Sequence, residues 1–453
     1  MPAISSTIPA PSASAKTMAA PSVAPQEPAT QMAQTAMTVV AEIPAAVLAG
    51  VRATLAAMDQ AAVGSAEAFP FEKLTNVHFS RFVILDPAVD LNNQPIPPAL
   101  VFLIDFDGSL DSFLPNLLSI AAGHLDQLFG SCQGYSTANN AARAAFLKSH
   151  MVPAGTLYVN WVGRTVAQVQ QEADLQQTIE EFVDRSHGKF KSMGSRDIRT
   201  AIVQYVRAEP SLAWAREPLP PMPLSWRSRQ LAEMTLIALI AIALLPLIAI
   251  ILPFFIIALR MHEKTDVPST QQPDLATLDS LAALEDHVVH NQFSAIGLVK
   301  PGPFRKITMT VVLFAVNFGT RFIWNKGNLS GVNTIHFARW VFLNDKRRLI
   351  FASNYDGSLE SYMDDFIDKV GWGLNAVFSN GVGYPKTNWL IYDGSSDEQA
   401  FKDFLHTHQI PTQIWYSAYP QLTGLNLVNN AKIRAGLYGE MSEDDARVWL
   451  ALL

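Results

Sequence analysis

One cysteine, Cys132, stands in a chain of 453 residues. A lone thiol makes no intramolecular disulfide, no zinc cluster and no CxxC redox pair, and it fits a reducing compartment and equally a periplasmic protein without disulfides. Charge is also scarce. Charged residues make up 16% of the chain, and a net charge of −7 leaves no basic excess of the kind a nucleic-acid partner needs. GxSxG, P-loop, HExxH and CxxC motifs are all missing, which removes the sequence handles for a serine hydrolase, a nucleotide site, a zinc protease and a dithiol enzyme. Residues 1–38 hold no apolar h-region, so no secretory signal is expected.

What the chain has in excess is apolar length. Met234–Leu259 (MTLIALIAIALLPLIAIILPFFIIAL) carries no charge between Glu233 and Arg260. A run of more than about 18 apolar residues marks a segment that lives in a bilayer. Trp226, Arg227 and Arg229 precede the run, and Arg260, His262 and Lys264 follow it. Both flanks are basic, so the positive-inside rule selects no orientation. Pro246 and Pro253 lie within the run, and each removes a backbone donor. Two full spans need about 40 residues, more than the run supplies. One straight span would part the two halves of the chain. A re-entrant hairpin in one leaflet is therefore the expectation, with a single span and a buried core helix as alternatives.

The halves on either side read as copies. HFSRFVIL from His78 matches HFARWVFL from His336, and FLKSHMVPAGTLYVNW from Phe146 matches FLHTHQIPTQIWYSAY from Phe404, both at an offset of 258. DFDGSLDSF from Asp105 matches NYDGSLESY from Asn354, and Gly134-Tyr135 matches Gly383-Tyr384, at an offset of 249. Ordered blocks with length changes confined to loops are what an internal duplication leaves behind. Each copy reads β-β-α-(β)-α-β-α. The fold class is accordingly α+β: two ferredoxin-like repeats forming an internal pseudo-dimer, interrupted by a membrane-inserting helical segment.

The divisions follow from composition. Residues 1–38 are expected to be a disordered tail. Residues 40–205 form the first repeat, opening on a helix over 40–63; 206–330 form the central membrane-associated segment; 331–453 form the second repeat. Within the centre, PFRKITMTVVLFAVNFGTRFIWNK (303–326) sets Arg305, Lys306, Arg321 and Lys326 around an apolar middle. That pattern suits a helix in the membrane interface, and equally an amphipathic helix packed on a sheet.

The stretches KPGPFR, IHFARWVFLND, ASNYDGSLESYMDDFID and HQIPTQIWYSAY resemble a family of bacterial membrane-associated proteins without an assigned activity, over roughly 285–440. At fold level, a duplicated ferredoxin-like chain resembles the dimeric α+β barrel group, which includes dye-decolourising haem peroxidases and chlorite dismutases. That second resemblance implies a distal acid–base role for Asp356, with Asp107 as its counterpart and Arg339 beside it. It implies a haem ligand among His336, His408 and His290. The peroxidase GxxDG pattern is met only in part, since Ser353 and Ile104 stand where its first glycine would be.

Read from the residues alone, Asp107-Gly108-Ser109 and Asp356-Gly357-Ser358 each end a strand and open a helix, where Asp or Ser caps free amides and Gly permits the turn. His336 and Arg339 are three apart in a strand and are expected on opposite faces. His406 and His408 have no carboxylate or thiol cluster near them, so no metal site is expected. The functions this supports are a membrane-associated binding or scaffold protein, a haem-dependent peroxidase-like oxidoreductase, and a lipid-handling protein with a cavity between its sheets. Membrane lipid is the expected partner and nucleic acid is not. Homo-oligomerisation stays open, and both repeats are expected on the cytoplasmic side of a membrane.

Overall fold

The computed structural model describes residues 29–283 and 288–453. The chain is a mixed α/β protein with antiparallel sheets and one long apolar helix. Its first half runs β1 (Gln34–Glu42), α1 (Leu48–Gln60), β2 (Val77–Leu85), a short ladder of β3 (Ala88–Val89) and β4 (Pro95–Ile96), β5 (Ala99–Asp107), α2 (Leu110–Phe129), α3 (Asn140–Ser149), β6 (Ala154–Val159) and α4 (Val166–Phe190). Then come α5 (Ser195–Ala208), α6 (Leu224–Thr265) and α7 (Leu275–Ala282). The second half runs β7 (His290–Leu298), α8 (Pro303–Phe322), β8 (Ile335–Leu343), β9 (Arg348–Asp356), α9 (Leu359–Phe378), a ladder of β10 (Thr387–Asn388) and β11 (Tyr392–Asp393), α10 (Glu398–His408), β12 (Thr412–Ser417), α11 (Gly424–Ala435) and α12 (Glu443–Leu450).

Strand β1 corrects the expected tail and opening helix. Met37, Val39 and Ala41 alternate into the core while β1 pairs antiparallel with β5 from Gln34↔Asp107 to Glu42↔Ala99. The alternation was concealed by small residues, and the helix begins only at Leu48. Residues 1–28 of the expected tail lie outside the described residues.

One sheet has the order β1-β5-β2-β12 and the other β6-β8-β9-β7. The last strand of each half therefore pairs in the sheet of the other half: β12 lies against β2, and β6 against β8. Strands β2, β5 and β9 are buried along their whole length, because each is covered on both faces. Phe82, Phe102, Ile104 and Phe106 meet α2 through Phe113, Leu117, Leu125 and Leu128 on one side. On the other side Val83, Val101 and Leu103 meet Val341, Ile350 and Ala352 of the second sheet. Burying a Leu, Val or Phe side chain stabilises the fold by about 1.5–3 kcal/mol, so this double interface holds the halves together.

The free edge of β6 is closed by α8. Leu157 N donates to Asn317 Oδ1 (3.2 Å), Thr156 Oγ1 donates to the Leu313 carbonyl (2.7 Å) and Thr320 Oγ1 to the Leu157 carbonyl (2.9 Å). Side chains of a helix thus satisfy an edge that would otherwise invite another strand. This places 303–326 as a helix packed on a sheet. Its opposite side carries a second apolar stripe, Ile307, Val311 and Phe314, all exposed.

Helix α6 is continuous through Pro246 and Pro253. The expected hairpin is overturned, and the physical reason is local. A proline removes one backbone bond, whereas a bend in apolar surroundings leaves several groups unpaired. The helix is long and apolar enough to cross a membrane, with a mean hydropathy of 3.0 over its best window and none of that window buried.

Both ends of α6 are held by the same body. Near its start, Glu233 pairs with Arg321 of α8, and Gln230 Oε1 accepts from Arg321 Nε (3.2 Å). Near its end, His262 stacks on Phe304 of α8, and buried Glu263 accepts from the amides of Leu390 (2.7 Å) and Trp389 (3.2 Å). Just beyond, Asp266 bridges Lys300 (2.7 Å) and Arg305 (2.6 Å). Trp226, Arg227, Arg229 and Arg260 lie at these two ends, and Arg260 covers the Trp389 ring at 4.8 Å.

Candidate functional site

The chemistry-bearing side chains gather at one end of the space between the sheets. A β-bulge makes this so. In β2 the pairing jumps from Val77↔Phe106 to Phe79↔Asp105, and in β8 from Ile335↔Tyr355 to Phe337↔Asn354. His78 and His336 are the extra residues, and a bulge re-aims the side chain it carries. The strict alternation expected for His336 and Arg339 fails for this reason.

The two histidines meet the two Asp-Gly-Ser motifs. His78 Nε2 lies 2.9 Å from Asp107 Oδ1, and His336 Nε2 lies 2.6 Å from Asp356 Oδ1. The second oxygen of each aspartate is also occupied. Asp107 Oδ2 accepts from Val166 N (2.9 Å) and Asp356 Oδ2 from Gly424 N (2.7 Å), the first residues of α4 and α11. A carboxylate at a helix N-terminus is stabilised by the free amides and the helix dipole. Gly108 (φ +91°) and Gly357 (φ +81°) supply the left-handed turn, and Ser109 and Ser358 accept from the amides of Ser112 and Ser361 to cap α2 and α9. Serine thus caps the helix it opens, while aspartate caps a distant one.

The two pairs differ in what the strand beside each aspartate supplies. Beside Asp107 stands Gln34, the first residue of β1, which donates to the Arg164 carbonyl. Beside Asp356 stands His290, the first residue of β7. Its Nε2 lies 2.5 Å from the Leu422 carbonyl oxygen and 3.4 Å from Asp356 Oδ1, and its Nδ1 lies 2.9 Å from Ser417 Oγ. Burial first, then the neighbouring His336, holds the His290 imidazole neutral, with its pKa down at about 3. His78 Nδ1 is 2.8 Å from the Tyr419 hydroxyl. Burial, then Asp107, pushes that phenol well above its ordinary value. Among the described residues, His290, His336 and Asp356 have ligand atoms within 4.8 Å of one another, and all three are buried. The sequence expectation of no metal ligands missed this group, because its members lie far apart in the chain and one of them is aimed by a bulge.

A second buried constellation lies further along the interface. Arg81 reaches across to the carbonyls of Phe293 (2.8 Å) and Ser353 (2.7 Å), to Ser294 Oγ (2.9 Å) and to Asn354. Arg339 reaches the other way, to the Met37 carbonyl (3.0 Å), Thr38 Oγ1 (3.2 Å) and Asp105. Burial, and after it the charge of Arg339, lowers the Arg81 pKa to about 9, while burial raises that of Asp105. Each guanidinium thereby stitches one sheet to the other.

Haem does not fit this arrangement. The cavity bordered by Arg81, Asp105, Arg339 and Asn354 has a volume of about 10 Å³. That is room for one water, whereas ligand pockets run to about 300–1,000 Å³. Asp356 and Asp107 have both oxygens engaged, and Arg339 is spent on the facing sheet. His408 is elsewhere. It packs against Gly297 with Nδ1 2.7 Å from the Phe404 carbonyl. Gly297 lies about 23 Å along β7 from His290, at ~3.3 Å per residue. The residues proposed for a haem therefore form structural bonds, and the cavity beside Arg81 and Arg339 leaves no room for a lipid chain.

No family model matches the chain, and no curated protein matches it.

Proposed function

We propose that this chain is a membrane-associated binding or scaffold protein: two ferredoxin-like repeats form an internal pseudo-dimer that α6 holds against a bilayer. The duplication reading is supported by a side-chain bond that reaches from a matching block to a residue outside the blocks. Tyr135 donates to Asp126 (2.7 Å) as Tyr384 does to Asn375 (2.8 Å), again at an offset of 249. The resemblance to the bacterial membrane-associated family is part of this proposal.

The observation that carries it is the combination of α6's exposure with its two attachments. Residues 238–254 are exposed on every side, yet Glu233 and Glu263 are both tied to the one body. A bilayer core about 30 Å thick cannot separate two ends that touch the same domain. The exchanged strands, β6 and β12, likewise keep both halves on one side. So α6 lies in the plane of the membrane rather than across it, with the Ile307, Val311 and Phe314 stripe of α8 facing the same lipid. The contacts Glu233–Arg321 and Phe255–Phe304 are spaced about 33 Å along α6 and about 26 Å along α8 at ~1.5 Å per residue, so the two helices run antiparallel and meet near these two places. We place the body on the cytoplasmic side, where a free thiol persists.

Two measurements test this. The purified chain should float with phosphatidylcholine–phosphatidylglycerol vesicles, and the Ile242→Lys, Ile250→Lys variant should not. A chain that stays soluble without detergent and ignores vesicles would end the membrane reading. In a Cys132→Ser background, Ser228→Cys and Lys264→Cys should react with an impermeant maleimide from the same side of the vesicle. Labelling from opposite sides would show a span instead.

A further inference from the structure

The second half holds something the first does not. At matching positions the β1 end presents Gln34, His78 and Asp107, and the β7 end presents His290, His336 and Asp356. Gln34 offers only an amide, a far poorer ligand than imidazole for first-row transition ions, and His290 puts an imidazole in its place. Two imidazole nitrogens then converge on one carboxylate oxygen, at 2.6 and 3.4 Å, with the rings 4.3 Å apart between centroids.

We propose that His290, His336 and Asp356 form a binding site for one divalent first-row transition ion, Zn(II) being the simplest occupant. Nε2 of each histidine and Oδ1 of Asp356 are the donors, an N₂O set suited to zinc and its neighbours rather than to calcium or magnesium. The Leu422 carbonyl oxygen, 2.5 Å from His290 Nε2, is placed as a fourth donor.

The surrounding contacts are those that metal ligands carry. A ligating histidine usually donates its other N–H to a fixed acceptor, and His290 Nδ1 lies 2.9 Å from Ser417 Oγ. A ligating carboxylate is usually held by its second oxygen, and Asp356 Oδ2 accepts from Gly424 N at 2.7 Å. The ligands sit on β7, β8 and β9, with Ser417 on β12 of the facing sheet, so they are fixed by both layers of the fold.

Without the ion, the same donors are joined by protons. His336 Nε2–H donates to Asp356, and His290 Nε2–H donates to Leu422. On binding, the ion takes the two Nε2 lone pairs, and each ring proton moves to Nδ1, where Ser417 Oγ accepts that of His290. The tautomer shift leaves the proton count of both rings unchanged, and Asp356 is the one carboxylate of the set. The shortest donor pairs, 2.5 and 2.6 Å, must open by about 1 Å, since tetrahedral ligands at about 2.0–2.2 Å from an ion stand about 3.3–3.6 Å apart, whereas His290 Nε2 and Asp356 Oδ1 already lie 3.4 Å apart.

The test uses the full chain, untagged and in detergent, stripped with a chelator and titrated with Zn(II) and then Co(II). One ion per chain by elemental analysis, a visible Co(II) spectrum that Zn(II) displaces, and a raised unfolding midpoint with Zn(II) are expected. His290→Gln is the informative variant, because it installs the residue that the equivalent place already uses. It should keep the far-ultraviolet spectrum and the unfolding midpoint of the stripped protein while losing at least tenfold in Co(II) affinity. His408→Gln should bind as the parent does. If the stripped parent takes up no stoichiometric ion, or His290→Gln takes it up equally, the site does not exist. Should His290→Gln fail to fold, the same comparison is read from Ser417→Ala, which leaves all donors in place and should weaken Co(II) binding about tenfold; unchanged affinity there would overturn the proposal.

Discussion

Asp105→Asn is the most exacting test of the interface between the sheets. Arg81, Arg339 and Asp105 are all at least 97% buried, and two guanidiniums share the one carboxylate. Removing that charge leaves two cations facing each other with no anion. Uncompensated buried charges of this kind cost about 3–5 kcal/mol. Arg339→Met should cost a similar amount, because it orphans Asp105 together with the Met37 carbonyl and Thr38 Oγ1. Arg81→Met should cost less, about 1–3 kcal/mol, since its partners are neutral and its loss relieves Arg339. The decisive result is the double variant. Arg339→Met with Asp105→Asn removes one charge of each sign, so its cost should fall about 2–3 kcal/mol short of the sum of the singles. A chain this long need not unfold in two states, so the comparison is of thermal midpoints at one scan rate in one detergent, followed by tryptophan fluorescence. At ~2 °C per kcal/mol, the singles should drop by about 6–10 °C. Additive midpoints, or Arg81→Met dropping further than Arg339→Met, would refute the charge account.

Two further outcomes follow from groups outside the interface. Cys132 is buried, which pushes its thiol up to about 11, so at pH 8 the native chain should resist a disulfide reagent that titrates one thiol in denaturant; prompt modification of the native chain would contradict its burial. Arg143 binds Asp126 through Nε (2.7 Å) and Nη2 (2.6 Å), and those bonds hold the Asp126 carboxyl below its usual range. A depressed carboxylate stabilises above its unfolded value of 3.8 and loses that contribution as pH falls through the lower folded value. Arg143→Met should therefore lower the midpoint at pH 7 and lower it by much less near pH 2.5, whereas a pH-independent loss would point to packing alone.

Much of the architecture was legible because it is written in local periods. The β-β-α order expected of each half is met by β2, β5 and α2 in the first and by β8, β9 and α9 in the second. Pairings between distant residues were not legible. Nothing in ALVFLIDFD says that QTAMTVVAE will lie beside it, and nothing in TQIWYS says that it pairs with β2 rather than with its own half. The candidate site failed for a similar reason. Alternation separated His336 from Arg339 until a bulge shifted the count by one, and His290 lay outside the blocks whose similarity was visible. The prolines of α6 misled because proline's local cost was set against a bend whose cost is larger.

On the duplication reading, the places where the halves agree and disagree divide the work. They agree at His78 and His336, at Arg81 and Arg339, and at both Asp-Gly-Ser turns, all of which bind strand to strand or strand to helix. They disagree at Gln34 and His290, at Asp105 and Asn354, and at Asp126 and Asn375, where one member carries an imidazole or a carboxyl and its counterpart an amide. Two equal copies would place two identical ends in one body, and neither would be free to change without weakening the fold. Exchange of β6 and β12 alters that constraint. Each sheet borrows an edge strand from the other half, so the residues around each His–Asp pair are held by elements of both halves. The β7 end has taken up a second imidazole under that cover, which is why a new site is to be sought there and not beside Gln34.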